Sequence, residues 1–275
     1  MSQETLGDRC KRFEMAEAGR KAMPGLPLLA RLDGRAFHTF THGLTRPYDR
    51  RLSRCMIETT RFLIENLDAR VGYTQSDEIT LAWYEPSGSE VAYPFDGRFQ
   101  KLTSVLAGLA SARFCQLTAA QLPEKAHRTP CFDCRVWQVP SPQEVLEVFI
   151  WREDDATKNS ISMAASVHYS HRELHGKNSV EKQEMLFQKG QNWNDFPAAF
   201  KRGTYLGRRT AEQKLTDEEW KRIPEAHRPP REQVFTRSHI VELDLPPIRR
   251  LGNAVAVLLS AAAPQLRSID TIPCL

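Results

Sequence analysis

An apolar run that ends abruptly at a carboxylate lies in Leu28-Leu29-Ala30-Arg31-Leu32-Asp33-Gly34-Arg35-Ala36-Phe37-His38. Because Pro27 and Gly34 bound this run, it is interpreted as a buried strand rather than a helix. Asp33 then lies where the strand stops, and Gly34 allows a sharp turn and the close approach of a ligand. The amides of residues 34–38 are expected to face an anion, as in a phosphate-binding nest. The alternative is an ordinary turn aspartate before glycine.

A second acidic turn, Gln75-Ser76-Asp77-Glu78, is flanked by β-branched and aromatic residues, which predicts a hairpin with Asp77 at its tip. One helix separates this hairpin from the strand that ends in Asp33, so the two carboxylates meet if the strands are neighbours. Paired carboxylates are the oxygen-rich arrangement that Mg²⁺ selects, with substrate phosphates completing the shell. Such a site is the minimal equipment of two-metal nucleotidyl transfer. Strand alternation turns Glu78 away from Asp77, so Glu78 is expected to support the site.

The order of the predicted elements indicates an α+β fold. Helical periodicity is found in residues 5–22, 48–67 and 98–122, and residues 131–139 alternate as a strand does. With the first strand and the hairpin, the order is strand, helix, strand, strand, helix, strand. This is the split βαβ pattern of a ferredoxin-like sandwich, with helices on one face of an antiparallel sheet.

The second half of the chain is predicted to be a mostly helical extension with one hairpin. We expect residues 1–140, with the N-terminal helix, to form one domain, and residues 141–275 to pack on it. Further predicted elements are helices from residue 142 to between 151 and 169, over 180–187 and over 251–263, a basic strand over 201–209 that pairs with 233–243, and loops over 85–97 and 215–231.

The composition permits a nucleic-acid partner without requiring one. The 275 residues carry a net charge of +4, and total charge says little about local patches. The first twenty residues are charged and lack the apolar segment of a secretory signal. No apolar run approaches the length of a membrane span, and irregularly spaced cysteines favour reduced thiols. We therefore predict a cytoplasmic protein with no membrane partner.

Six short motifs, taken in order, resemble those of the tRNA-histidine guanylyltransferase family, and the bacterial-type branch in particular. Members of this family are 3′-to-5′ polymerases that add nucleotides to the 5′ end of tRNA. The resemblance implies a domain similar to the palm of nucleic-acid polymerases and class III nucleotidyl cyclases. The motifs are Arg31-Leu32-Asp33-Gly34-Arg35-Ala36-Phe37-His38, Arg46-Pro47-Tyr48-Asp49, Gln75-Ser76-Asp77-Glu78, Phe132-Asp133-Cys134-Arg135-Val136, Trp151-Arg152-Glu153-Asp154-Asp155 and Lys201-Arg202-Gly203-Thr204.

The resemblance also assigns roles to individual residues. It implies that Asp33 and Asp77 are catalytic and that both, with the Gly34 carbonyl, bind two Mg²⁺ ions. It implies nucleotide contacts from Gly34, Arg35, Ala36, Phe37, His38, Arg46, Asp49, Ser76, Arg98 and Lys101. It implies RNA contacts from Arg135, Asn159, Lys201 and Arg202. Arg46 stands where the family usually has a lysine, so the charge is retained with a different geometry.

The implied reaction is activation of a tRNA 5′-monophosphate by ATP, followed by addition of GTP or another nucleoside triphosphate. The family also implies a homo-tetramer. Eukaryotic members carry a histidine where this chain has Thr157, which favours template-dependent repair of shortened tRNA 5′ ends. The alternatives are addition of a guanosine to tRNA-histidine, another palm enzyme such as a cyclase, and a ferredoxin-like RNA-binding module without chemistry. Trp193 and Tyr205 either stack on RNA or pack in the interior.

Overall fold

The structure is a computed structural model that describes residues 4–85 and 93–267. The strands are β1 (Leu28–Gly34), β2 (Val71–Gln75), β3 (Glu78–Trp83), β4 (Phe132–Gln138), β5 (Thr204–Lys214) and β6 (Val234–Leu243). The α-helices are α1 (Leu6–Ala16), α2 (Phe37–Phe40), α3 (Arg50–Leu67), α4 (Phe99–Gln121), α5 (Pro142–Ala165), α6 (His171–Leu174), α7 (Ser179–Gln188), α8 (Ala198–Arg202), α9 (Asp217–Arg222) and α10 (Ala254–Leu259).

Within these described ranges, six strands form one antiparallel sheet in the order β4-β1-β3-β2-β5-β6. The first four strands, with α3 after β1 and α4 after β3, follow the predicted order of elements. This is the ferredoxin-like pattern. The predicted α+β fold is therefore confirmed.

The two faces of the sheet are covered by different helices. Leu28, Ala30 and Leu32 of β1 lie in a core with α3 and α4. Leu29, on the opposite face of the same strand, packs in a second core with α5 and α10. The two predicted helices of the ferredoxin-like part therefore share one face, and helices from the second half of the chain cover the other. Both faces need cover because the central strands carry apolar residues on each side.

The basic strand predicted over residues 201–209 begins later than expected, because Lys201 and Arg202 end α8. Gly203 makes the break between helix and strand, with a φ of 80°. A Cβ at this position would lie 2.5 Å from the Tyr73 hydroxyl, so a larger residue does not fit. From Thr204 onward the chain pairs with β2 and, as predicted, with β6. The sheet thus continues across residue 140, and the domain division there stays a prediction.

Several other boundaries differ from the sequence-based expectation. Helix α1 ends at Ala16, before a glycine at residue 19 with a φ of 71°, and it buries no residue. Helix α10 is shorter than predicted. The expected excursion over residues 215–231 contains α9, and residues 86–92 of the expected loop lie outside the described residues. In the part of the chain that the structure describes, no helix is long and apolar enough to cross a membrane.

Candidate active site

The two predicted acidic residues meet at one end of the neighbouring strands β1 and β3. Asp33 of β1 pairs with Glu78, the first residue of β3, and Asp77 precedes it in the two-residue turn from β2. Ser76 makes this tight turn possible with a left-handed φ of 54°. The Gly34 amide donates to the Asp77 carbonyl at 3.1 Å and joins the two segments. The expectation that neighbouring strands bring the acids together is therefore correct.

The surroundings of this acid pair favour binding of a cation. Desolvation raises the pKa of Asp77 to about 6, and the negative charge of Asp33 adds to that rise. The Ser76 hydroxyl donates to Asp77 Oδ1 at 3.0 Å and partly opposes it. Among the described residues, neither aspartate forms a salt bridge. Partial burial of two neighbouring unpaired carboxylates is unfavourable unless a cation compensates them.

The donor chemistry fits a hard divalent cation. Both side chains offer only oxygen atoms, which Mg²⁺ prefers. No group of three or more His, Cys, Asp or Glu side chains arranged to hold a metal occurs in residues 4–85 and 93–267. A cation at the pair would therefore need further oxygens from water, a backbone carbonyl or substrate phosphates. That requirement is typical of Mg²⁺ sites that work on phosphates.

Glu78 is fixed by an arginine that sequence analysis left without a role. Arg152 of α5 donates to Glu78 Oε2 at 2.5 Å and to Asp155 Oδ2 at 2.8 Å. Only 6% of the Arg152 side chain and 20% of the Glu78 side chain are exposed. Because Glu78 follows Asp77 directly, this ion pair connects α5 to the turn that carries the acid. The signal available in the sequence was the charged run Trp151-Arg152-Glu153-Asp154-Asp155.

The predicted anion nest is smaller than expected. The Gly34 and Arg35 amides are occupied by the Asp77 and Cys131 carbonyls, so they do not face an anion. Within the described residues, no hydrogen bond is donated by the amides of Ala36, Phe37 and His38. Ala36 has a left-handed φ of 56° immediately before α2, which turns these amides away from the strand. Of the five amides predicted to face an anion, those of residues 36–38 therefore remain available as donors within the described residues.

Two cavities near the turn that carries Asp77 share the lining residues His38, Thr41, Leu52 and Ser76. One, of about 350 Å³, lies between Asp77, Ser76 and the start of α2. The other, of about 630 Å³, lies between the loop before α3, Ser76 and α8. Their combined lining includes the predicted nucleotide-binding residues Gly34, Ala36, Phe37, His38, Arg46, Asp49 and Ser76. A cavity of this size is ordinary for a small ligand. Arg35 is exposed and lines neither cavity.

Three of these lining residues already make hydrogen bonds or packing contacts with other side chains of the protein. Phe37 is buried against Phe40 and two other aromatic rings, so it offers the cavity its backbone more than its ring. Arg46 donates to the Ser166 hydroxyl at 2.8 Å. Asp49 caps α3 and accepts two bonds from the Arg51 guanidinium, at 3.1 and 2.8 Å. The Arg51 bonds hold the pKa of Asp49 at about 2.

Arg98 and Lys101 lie at the other end of the sheet. Arg98 stands at the N-cap position of α4 without a capping side-chain hydrogen bond, and its backbone forms an isolated bridge with Lys21, in the segment that leads into β1. Lys101 Nζ lies 5.5 Å from the Phe95 ring centroid. Strand β1 begins near them, and Asp33 is five residues further along it, which separates the two regions by roughly 17 Å at about 3.4 Å per residue. Within one chain, the structure does not bring these two cations to the acid pair.

Comparison with known proteins agrees with this geometry. A family described as "Thg1: tRNAHis guanylyltransferase" matches residues 7–140. A solved bacterial tRNA(His) guanylyltransferase (Thg1)-like protein in complex with ATP is 37% identical, with a TM-score of 0.70 over 74% of this chain and 88% of its own. One in complex with GTP is 30% identical, with a TM-score of 0.68 over 89% and 94%. A probable tRNA(His) guanylyltransferase of Drosophila melanogaster is 29% identical over 73% of this chain and 74% of its own. This chain belongs to the tRNAHis guanylyltransferase family.

Members of the tRNAHis guanylyltransferase family are nucleotidyltransferases, and this chain is an enzyme of that class. The predicted family membership is thereby confirmed. The two bacterial relatives are complexes with ATP and with GTP. The coarse function of this chain is that of a tRNA(His) guanylyltransferase-like nucleotidyltransferase, with tRNA as the substrate that the family implies.

The predicted RNA-binding residues of this family member occupy three places. Asn159 lines a cavity of about 290 Å³ together with Asp33 and Asp77, and its amide donates to Asp155 at 3.3 Å. Arg135 lies on β4, and Lys201 and Arg202 end α8. Asn159 therefore lines a cavity with both acids, whereas Arg135, Lys201 and Arg202 do not line that cavity.

Trp193 and Tyr205 were each predicted either to stack on RNA or to pack in the interior, and the structure separates the two residues. Tyr205 is buried, and its hydroxyl donates to Glu153 at 3.1 Å, so it packs in the interior. Trp193 remains partly accessible, with its indole N–H donating to Ser160 at 3.2 Å and Lys201 Nζ lying 5.4 Å from its ring centroid. Tyr205 is thus excluded as an RNA-stacking residue.

Proposed function

We propose that this chain adds nucleotides in the 3′-to-5′ direction to the 5′ end of tRNA, guided by the opposite strand, and so repairs shortened 5′ ends. The observation that carries the proposal is the pair Asp33 and Asp77, two carboxylates without a cation partner in the described residues, beside cavities that suit a nucleotide. Phosphoryl transfer needs positioning and charge neutralisation more than a protein nucleophile. The cavities would position the substrates, and Mg²⁺ held by the acid pair would supply the charge neutralisation.

The chemistry follows from the poor reactivity of a 5′-monophosphate, which lacks a good leaving group. In the first step, a 5′-phosphate oxygen attacks the α-phosphorus of ATP, and pyrophosphate leaves. In the second, the 3′-hydroxyl of the incoming nucleotide attacks the activated 5′-phosphorus, and AMP leaves. Both steps are displacements at phosphorus, so one acid pair can serve both.

Two Mg²⁺ ions would be held by Asp33, Asp77 and the Gly34 carbonyl. When bound, they would lower the pKa of the attacking hydroxyl and neutralise the leaving oxygens. The protein's own contribution is to hold the phosphates. The three amides of residues 36–38 provide donors for phosphate oxygens, as in a backbone nest. Ser76 orients Asp77 through its hydroxyl.

Substrate choice is inferred from Thr157. Its hydroxyl donates to the Glu153 carbonyl at 2.9 Å, within α5, so it takes the place of the family histidine without offering an imidazole. Selection would then rest on base pairing with the opposite strand and on phosphate contacts, which carry no sequence information. The second candidate, guanosine addition to tRNA-histidine, keeps the same chemistry.

A primer series tests the proposal. Purified protein is incubated with Mg²⁺, nucleoside triphosphates and 5′-monophosphorylated tRNAs that lack one, two or three 5′ nucleotides. We expect extension that stops when the acceptor stem is fully paired, and a changed template base should change the nucleotide added. Faster addition of guanosine to full-length tRNA-histidine would instead support the second candidate. Binding without any addition would favour the non-catalytic RNA-binding module.

The predicted cytoplasmic location and homo-tetramer stay predictions, and the second bears on Arg98 and Lys101. Since these two residues lie at the far end of the sheet, we infer that they serve a nucleotide only when a second copy brings them to the acid pair. A monomeric active enzyme would remove them from the site.

A further inference from the structure

An open, polar shelf adjoins the acid pair on the side away from the two cavities. Arg31 and Arg135 are paired across β1 and β4, as are Asp33 and Asp133. Their neighbours Leu32 and Cys134 point into the core with α3 and α4, so these four side chains lie on the opposite face of the sheet. Strand β4 is the edge of the sheet, which leaves the shelf open at its outer side.

Trp151 of α5 stands over this shelf and is 51% exposed. The Arg31 guanidinium carbon lies 5.2 Å from its ring centroid, and that of Arg152 lies 4.4 Å away. Arg152 is itself fixed by Glu78 and Asp155. The indole is therefore held by cations in a defined position and still presents half of its surface to solvent.

We propose that this shelf binds the RNA strand whose 5′ end is extended, with a terminal base on Trp151 and backbone phosphates at Arg31 and Arg135. The inference rests on the proposed function, because it takes RNA as the substrate. Aromatic rings and guanidinium groups hold single-stranded RNA through stacking and charge, largely without regard to sequence. An enzyme whose terminal base changes with each addition requires such sequence-tolerant binding.

The location of the shelf favours a chain over a free nucleotide. The larger cavity lies between the loop before α3 and α8, on the β2 and β5 side of the turn that carries Asp77. The shelf lies on the β1 and β4 side of that turn. The cavity can enclose one nucleotide, whereas the shelf opens at the sheet edge and lets a strand continue beyond it.

Two arginine side chains of the shelf can contact phosphates. Arg152 is balanced by Glu78 and Asp155, so its charge is used within the protein. Arg135 is 3.7 Å from Asp133, and both side chains are more than half exposed. No salt bridge to Arg31 occurs in the described part of the chain. Arg31 and Arg135 share the shelf with Asp33 and Asp133, so these four side chains carry no net charge, and the two guanidinium groups are the donors that the shelf offers to phosphate oxygens.

The test measures RNA affinity separately from nucleotide use. Trp151→Ala should raise the Kd for a 5′-shortened, 5′-monophosphorylated tRNA about tenfold, the range of one lost stacking contact. Trp151→Phe should restore most of that affinity. The matched control is Trp220→Ala, since Trp220 also lies within 5 Å of two guanidinium carbons but belongs to α9, far from the acids. The Michaelis constant for ATP should change little in all three variants.

Tryptophan fluorescence gives a second readout that a purely structural role would not move. RNA should quench the wild-type emission, and Trp151→Phe should remove most of the quench, whereas Trp220→Phe should leave it intact. If Trp151→Ala does not fold, Arg135→Ala keeps the proposal testable, because this exposed side chain has no packing role. We expect a weaker tRNA affinity and a salt slope reduced by about one unit.

Three results would overturn the assignment of the shelf to RNA. One is unchanged tRNA affinity in both Trp151→Ala and Arg135→Ala. Another is a raised Michaelis constant for ATP with normal RNA binding, which would assign the shelf to the nucleotide. The third is a quench lost in Trp220→Phe but kept in Trp151→Phe. A wild-type protein that binds tRNA through the shelf but adds no nucleotide would refute the proposed function alone.

Discussion

The ion pair between Arg152 and Glu78 should be essential both for stability and for the position of the catalytic turn. Arg152→Met keeps a long side chain in α5 but leaves Glu78, only 20% exposed, without its cation. Removal of one partner of a buried pair typically costs about 3–5 kcal/mol in the free energy of unfolding. Asp155 is 40% exposed, so water can solvate it and it adds little to that cost.

Urea unfolding measures the loss directly. With a slope of about 3 kcal/mol per molar, a loss of 3–5 kcal/mol lowers the unfolding midpoint by about 1–1.7 M. The control is Arg249→Met. This change removes the ion pair between Arg249 and Asp154, which lies two residues after Arg152 on the same helix. Both partners of that pair are about half exposed, so its removal should cost at most about 1 kcal/mol.

A double-mutant cycle separates the pair from other effects of each change. In Arg152→Met with Glu78→Gln, the buried charge is gone along with its partner. The double variant should therefore be more stable than the sum of the single losses by about 2 kcal/mol, within the usual range for residues in contact. Nucleotide addition should stay low in the double variant, because the ion pair that joins the turn at Asp77 to α5 is then missing.

Two outcomes would refute this reasoning. Additive losses across the cycle would mean that Arg152 and Glu78 do not interact energetically. Wild-type activity in a folded double variant would mean that the pair stabilises the protein without positioning Asp77.

Three further predictions concern single residues. Asp33→Ala and Asp77→Ala should each abolish nucleotide addition with an unchanged circular-dichroism spectrum, and near-normal turnover of either variant in saturating Mg²⁺ would contradict the two-metal proposal. Lys101→Ala should raise the Michaelis constant for nucleotide more than the Kd for tRNA, and mixing it with Asp77→Ala subunits should restore activity if a second copy supplies Lys101. Asp49, with its pKa held at about 2 against 3.8, should contribute about 2 kcal/mol of stability above pH 4 that is lost as the pH falls towards 2; this pH dependence should be smaller in Asp49→Asn, measured by urea unfolding.

Local sequence was sufficient for the elements that hold the acid pair. The apolar run before Asp33 and the β-branched residues around Asp77 each specify a strand, and a two-residue turn leaves little freedom in register. The chain therefore had to place Asp77 beside the end of β1 once the two strands were neighbours. Element boundaries that depend on contacts with distant residues were harder to predict from the sequence. The start of β5 depends on the close approach of Gly203 to Tyr73, a residue from another strand.

The partners of charged side chains could not be predicted in the same way. Arg46 reaches Ser166, Glu78 reaches Arg152, and Arg51 joins Asp49 to Glu124, across 120, 74 and 73 residues respectively. Spacing along the chain carries no information about such contacts, because they form only when separate elements pack. This is why Asp49 was expected beside a nucleotide while its carboxylate is bound by arginine.

Topology nevertheless constrains which predicted residues can reach the acid pair. Helix α3 follows the end of β1, so the beginning of α3, with Asp49, lies at the same end of the strands as Asp33. Helix α4 follows β3, which runs away from Asp77. The beginning of α4, with Arg98 and Lys101, therefore lies at the opposite end of the strands. Helix α5 starts where β4 ends, at that same far end, and returns across the sheet. Its middle, with Arg152, and its second half, with Asn159, therefore reach the acids, where Arg152 binds Glu78 and Asn159 lines a cavity with Asp33 and Asp77.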